Sequence, residues 1–111
     1  MKSDKEYLFH IRDEILFIET TVKDIDFSAF YGSLLIKHAI ERSLEIIGEA
    51  SKKLSSEFKT QYPSIEWRAV AGTRDKLIHE YMGVDYELVW DILNTNIPEL
   101  KIVIEKAILD Y

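Results

Sequence analysis

Arg74, Asp75, His79 and Tyr81 fall within one nonapeptide, "TRDKLIHEY", running from Thr73 to Tyr81. Together they offer a fixed cation, a carboxylate, an imidazole and a phenol. That set suits work on a phosphate. A guanidinium binds two phosphoryl oxygens at once, and an imidazole takes up and returns a proton near neutral pH. His79 follows Asp75 by four residues, the spacing at which helical side chains meet. A carboxylate so placed would orient the ring and favour its protonated form.

Two backbone geometries are open. On a continuous helix Arg74, Leu77, Ile78 and Tyr81 share one side, and an arginine on an apolar side needs an anion or a subunit boundary. On a helix that starts afresh at Thr73, Arg74 stands in the first turn. The positive end of the dipole then calls for an anionic partner. Without its surroundings the stretch also reads as an ordinary helix surface, with an Asp75–His79 pair and a salt-bridged arginine.

Other residues offer less. "HEYMG" resembles half of a zinc-binding HExxH, but Gly83 stands where the second histidine belongs, so no metal site is expected there. His10 and His38 have no matching ligand pattern and read as surface or core residues. Trp67 and Trp90 read as core or interface anchors. No Gly-rich phosphate loop, nucleophile elbow or carboxylate set for two metals is present.

The 111 residues amount to a single domain, 1–111. With 47% hydrophobic and 31% charged residues the composition is that of a folded globular chain. No apolar run reaches the roughly 18 residues of a membrane span, and the N-terminus lacks the apolar core of a secretory signal. Cysteine is absent, which excludes disulfides and thiolate zinc sites and suits the cytoplasm. The net charge of −6 argues against a protein that coats nucleic acid. It leaves room for one that touches one or two phosphates.

The elements that must carry the nonapeptide are helical. Ser3 and Glu6 form a capping-box pattern, after which Tyr7, Leu8, Ile11, Ile15, Ile18, Val22 and Ile25 make one stripe. "DIDFSAFYGS" reads as a connection or loose turn. A second long helix places Leu34, Leu35, Leu44, Ile47, Ala50 and Leu54 inward, with Lys37, Glu41, Glu45 and Glu49 on its wet side. Gly48 inside it suggests a close helix crossing. Pro63 ends that region, a short helix covers "IEWRAVAG", and Gly72 marks a break or kink. Asp85 caps a helix to about Asn94, and Pro98 suits the first turn of a last helix bearing Leu100, Val103, Ile104, Ala107 and Ile108. The expected fold is all-α, an antiparallel bundle of about four long helices plus a short one.

At the nonapeptide the chain resembles the HepT-like group of HEPN (higher eukaryotes and prokaryotes nucleotide-binding) domains. The match is Arg74-x4-His79-x-Tyr81, with Asp75 where the group has a polar residue after the arginine. It extends to "LEIIGEASKKLS" at 44–55, "YPSIEW" at 62–67, "GVDYELVWDIL" after the signature and "NIPEL" near the end. The resemblance implies a homodimeric helical bundle acting as the toxin of a two-gene toxin–antitoxin system. Its activity would be that of a metal-independent ribonuclease without a cofactor. The partner would be an MNT-type nucleotidyltransferase antitoxin that transfers AMP to Tyr81. Arg74 and His79 would be catalytic, Asp75 would support them, and Lys76 and Arg68 would help hold RNA. The competing expectation is a noncatalytic HEPN module that binds a nucleotide or a protein and leaves activity to its partner.

Overall fold

Leu8, Ile11, Ile15 and Ile18 recur along α1 (Asp4–Val22) and are all buried, because a 3.6-residue period brings them to one side. The computed structural model that shows this describes residues 3–79 and 83–110, with Arg74, Leu77, Ile78 and His79 described by their backbone. Ser3 holds the N-cap position of α1, but its hydroxyl makes no cap hydrogen bond. Its carbonyl accepts from Glu6 N–H at 3.2 Å instead.

Asp26 opens α2 (Phe27–Tyr31) by accepting from Ala29 N–H at 2.8 Å. Ser33 opens α3 (Leu34–Lys53) by accepting from Ile36 N–H at 3.1 Å. Just past the end of α3, Ser55 donates its N–H and its hydroxyl to Asp4, at 2.8 and 2.6 Å. The end of α3 therefore meets the start of α1, and the two run antiparallel. Short helices α4 (Ser56–Gln61), α5 (Trp67–Ala71) and α6 (Thr73–Leu77) follow. Strands β1 (Ile78–His79) and β2 (Gly83–Val84) pair antiparallel before α7 (Tyr86–Leu109). Phe30, beyond the end of α1, lies 5.2 Å from Trp90 and 6.2 Å from Tyr86, ring centre to ring centre. Hence the start of α7 lies beside α2, beyond the end of α1, and the helix runs back along α1, where Lys101 donates to Glu19 at 3.0 Å.

The all-α bundle is as expected. Among the described residues it has three long helices and four short ones, because the two helices expected around Pro98 are one. Val89, Leu93, Ile97, Leu100, Ile104 and Ala107 form an unbroken buried stripe, and Pro98 sits exposed inside it. An internal proline costs about 3 kcal/mol. Burying Ile97 and Leu100 on either side of it returns about 1.5–3 kcal/mol each, so continuity wins. The Asn94 side chain donates to the Trp90 carbonyl at 2.8 Å just before the proline. Pro98→Ala restores a backbone donor in a helix interior and is expected to stabilise the fold by about 2 kcal/mol, read as a higher urea midpoint. A lower midpoint would show that α7 needs its proline.

Two expectations for α3 change. Leu34 and Leu35 are 64% and 81% exposed rather than inward. The buried stripe, traced back from Leu44 and Ile40 in steps of four, arrives at Ile36 and misses both. Lys37 and Glu41 are half-buried rather than wet, because the start of α7 packs over them.

Candidate functional site

Gly48 sets how close the nonapeptide comes to the core. A Cβ there would stand 3.3 Å from the carbonyl oxygens of both Val70 and Ala71. The missing side chain thus lets the end of α5 lie directly on α3, as the glycine suggested. Trp67 anchors the other end of α5. It is buried, donates its indole N–H to the Tyr62 carbonyl at 3.0 Å, and packs against Phe58. Gly48→Val overpacks a backbone-on-helix contact, and such insertions cost about 1–3 kcal/mol. The expected outcome is a lower thermal midpoint together with slower action of the site that α5 supports. A variant as stable as the parent would remove the close approach from the argument.

α5 ends at Gly72, and α6 begins at once, with the Thr73 hydroxyl donating to the Ala69 carbonyl at 3.1 Å. Arg74 is thus the second residue of a fresh five-residue helix, the second of the two geometries considered. The helix stops at Leu77, and Ile78 and His79 are extended, paired with Val84 and Gly83. This corrects the expectation of one helix through Tyr81. Asp75 and His79 do not stack one turn apart on a helix, since the backbone turns extended between them. The β-branched Ile78 and Val84 favour that pairing, and Gly83 takes a φ of +79° that only glycine adopts without strain.

The structure sorts the remaining residues by side. Asp75 is exposed and lines a small hollow against α3 with Gly48, Glu49 and Lys52. Lys76 is also exposed, but it lines a larger groove of about 460 Å³ between α5–α6 and α7, floored by Leu44, Ile47, Leu88 and Ile92. Asp75 and Lys76 therefore serve opposite flanks of α6. Arg68 is exposed on α5 and lines neither. Tyr81 lies outside the described residues, as does part of the "HEYMG" stretch. His10 and His38 are exposed, and Trp90 packs among Phe27 and Phe30. Among the described residues no group of three acidic, histidine or cysteine side chains is placed to hold a metal. No helix among them is long and apolar enough to cross a membrane.

Sequence reasoning gave no role to Tyr86, which opens α7. Asp85 caps that helix as expected, accepting from Leu88 N–H at 3.1 Å. Tyr86 donates its hydroxyl to Glu41 of α3 at 2.8 Å. The spacing of Lys37 and Glu41 hinted at a pair on one face, but nothing local says that a tyrosine from 45 residues further on lies over it.

By sequence the chain is similar to a family of ribonucleases. Residues 11–107 match the family model described as "Ribonuclease HepT-like". The chain is 46% identical over 101 residues to "Putative RNase TTE0752" of Caldanaerobacter subterraneus subsp. tengcongensis, covering 91% of this chain and 90% of that one. It is 44% identical over 105 residues to "Probable ribonuclease HepT" of Thermococcus cleftensis, covering 95% and 96%. A third relative, "Putative RNase MJ0125" of Methanocaldococcus jannaschii, is 43% identical over 106 residues, covering 96% and 91%. No solved structure gave a match.

Proposed function

Given that the chain belongs to the ribonuclease HepT-like family, we propose that it is a metal-independent endoribonuclease and the toxin of a two-gene toxin–antitoxin system. The observation that carries this reading is the spacing Arg74-x4-His79-x-Tyr81, set within a chain that matches ribonuclease-named relatives over nearly its whole length.

RNA brings its own nucleophile, so the chemistry needs no activated water. The 2′-oxygen bonds to phosphorus, the bond from phosphorus to the 5′-oxygen breaks, and a 2′,3′-cyclic phosphate and a 5′-hydroxyl result. A base removes the 2′-hydroxyl proton, and an acid protonates the departing 5′-oxygen. His79 takes one of these roles. Arg74 binds the phosphate through two donors and offsets the charge that builds in the transition state. With α6 ending at Leu77, Asp75 supports by contacting ribose or steadying His79 through space rather than along a helix. Lys76 and Arg68, both exposed, hold flanking phosphates, and binding weakens steeply with salt.

One chain supplies one such histidine. A homodimer that faces two motifs across its axis supplies both acid and base. The partner is an MNT-type nucleotidyltransferase. It joins the α-phosphate of ATP to the Tyr81 oxygen and releases pyrophosphate. The added anion then occupies Arg74 and repels RNA. The setting for this pair is the cytoplasm.

The test is direct. Purified chain, incubated with end-labelled RNA in EDTA, is expected to yield fragments ending in cyclic phosphate. Prior treatment with the partner and ATP should add one or more AMP masses at Tyr81 and stop cleavage. Intact RNA from chain shown by mass to be unmodified would sink the reading.

A further inference from the structure

Tyr86 is held from two elements at once. Its hydroxyl donates to Glu41 Oε2 at 2.8 Å, and the Lys37 ammonium lies 4.6 Å from the centre of its ring. Lys37 and Glu41 are four residues apart on α3, so one helix face makes both contacts. From α2, Phe30 and Tyr31 set their rings edge-on to it, at 6.2 and 6.1 Å between centres. Lys37 also lies 4.6 Å from the Tyr31 ring, which closes the cluster. Burial first, then the hydrogen bond and charge of Glu41 and the nearby Tyr31, push the Tyr86 phenol up to about 12. It therefore remains a hydrogen-bond donor at any physiological pH.

What this grip steadies is short. Gly83 and Val84 precede Asp85 and Tyr86, and they are the ladder partners of His79 and Ile78. A ladder of two residues per strand does not hold itself together in water. Its incoming strand hangs on a five-residue helix, whereas its outgoing strand runs straight into the Asp85 cap and the Tyr86 contacts.

We propose that Tyr86, gripped by Glu41 and Lys37, is a positioning residue: it fixes the outgoing strand and, through the His79–Gly83 pairing, sets where His79 stands. The inference rests on the role given to His79 above, but one of its readouts does not.

Tyr86→Phe keeps the ring with its Lys37, Phe30 and Tyr31 contacts and removes only the donor. Glu41→Ala removes the acceptor, and Glu41→Gln keeps one. A hydrogen bond to a charged acceptor is worth roughly tenfold or more in an equilibrium. Amide hydrogen exchange at 78–79 and 83–84 is therefore expected to speed up roughly tenfold in Tyr86→Phe and Glu41→Ala, with Glu41→Gln, whose amide oxygen is a neutral acceptor, in between. RNA cleavage should lose a similar factor in kcat with KM unchanged, and Glu41→Gln should keep part of the rate. Ladder exchange that stays at the parental rate in Tyr86→Phe would overturn the proposal, whatever global stability does. So would a loss that appears in KM alone. Faster ladder exchange in a chain whose parent cuts no RNA would support the mechanical link and sink the ribonuclease reading instead.

Discussion

His79→Ala is expected to slow RNA cleavage by roughly 100- to 10,000-fold, the range that a positioned acid–base group contributes. The loss should fall on kcat, because the imidazole moves a proton in the transition state and adds little to RNA binding. Arg74→Ala is expected to lose activity too, but with a rise in KM and a shallower salt dependence, since a phosphate contact is gone. Arg74→Lys should recover only part, because a lysine keeps the charge but not the two-pronged donor geometry. The measurement is kcat and KM on a short labelled RNA, for proteins shown by circular dichroism to be folded. Half of the parental rate remaining in His79→Ala would remove that residue from the chemistry.

Phe30→Ala is expected to destabilise the chain by about 3–5 kcal/mol, the cost of deleting a buried aromatic and leaving a cavity. Phe30 is fully buried, and its ring meets Phe27, Tyr86 and Trp90. It sits at the corner where the end of α1, the short α2 and the start of α7 come together, so neighbouring side chains have little freedom to collapse into the gap. Domains of this size are stable by about 5–15 kcal/mol, and the variant would lose a large share of that. Urea unfolding reads the effect directly. Leu35→Ala is the control: an apolar side chain is also cut back to Ala, but from a site 81% exposed, and the change should stay within about 0.5 kcal/mol. Similar losses in the two variants would show that α2 does not close the core.

The contrast between Phe30 and Leu35 also shows what was legible beforehand. The stripe of α1 was plain because its apolar residues keep phase over five turns, and the same rule, applied strictly, would have excluded Leu34 and Leu35. Pro98 misled for a different reason. Its cost is local and visible, while the burial of Ile97 and Leu100 that outweighs it depends on distant residues, among them Leu44, Ile47 and Ile65, which line the same groove. The cap at Asp85, the close approach at Gly48 and the breaks at Pro63 and Gly72 were readable because each depends on a residue's own geometry. The end of α6 at Leu77 was not. A ladder of two residues per strand has too little pattern to announce itself. In the candidate site, the identities and spacing of Arg74, Asp75 and His79 were plain from the start, whereas the grip of Glu41 on Tyr86 joins residues too far apart for any local rule to connect.

The position of α1 bears on how the chain comes to be made. It packs against both α3 and α7, and it is translated before either, with α7 following α3 by some thirty residues. During synthesis, at about 5–20 residues per second, α3 arrives early and covers its side of α1. The side that receives α7 stays open for the rest of those seconds. The nascent chain thus carries a greasy flank that a chaperone would bind. The nonapeptide leaves the ribosome before α7, so a ribosome-bound fragment can carry the whole Arg74–Tyr81 motif before α7 is made.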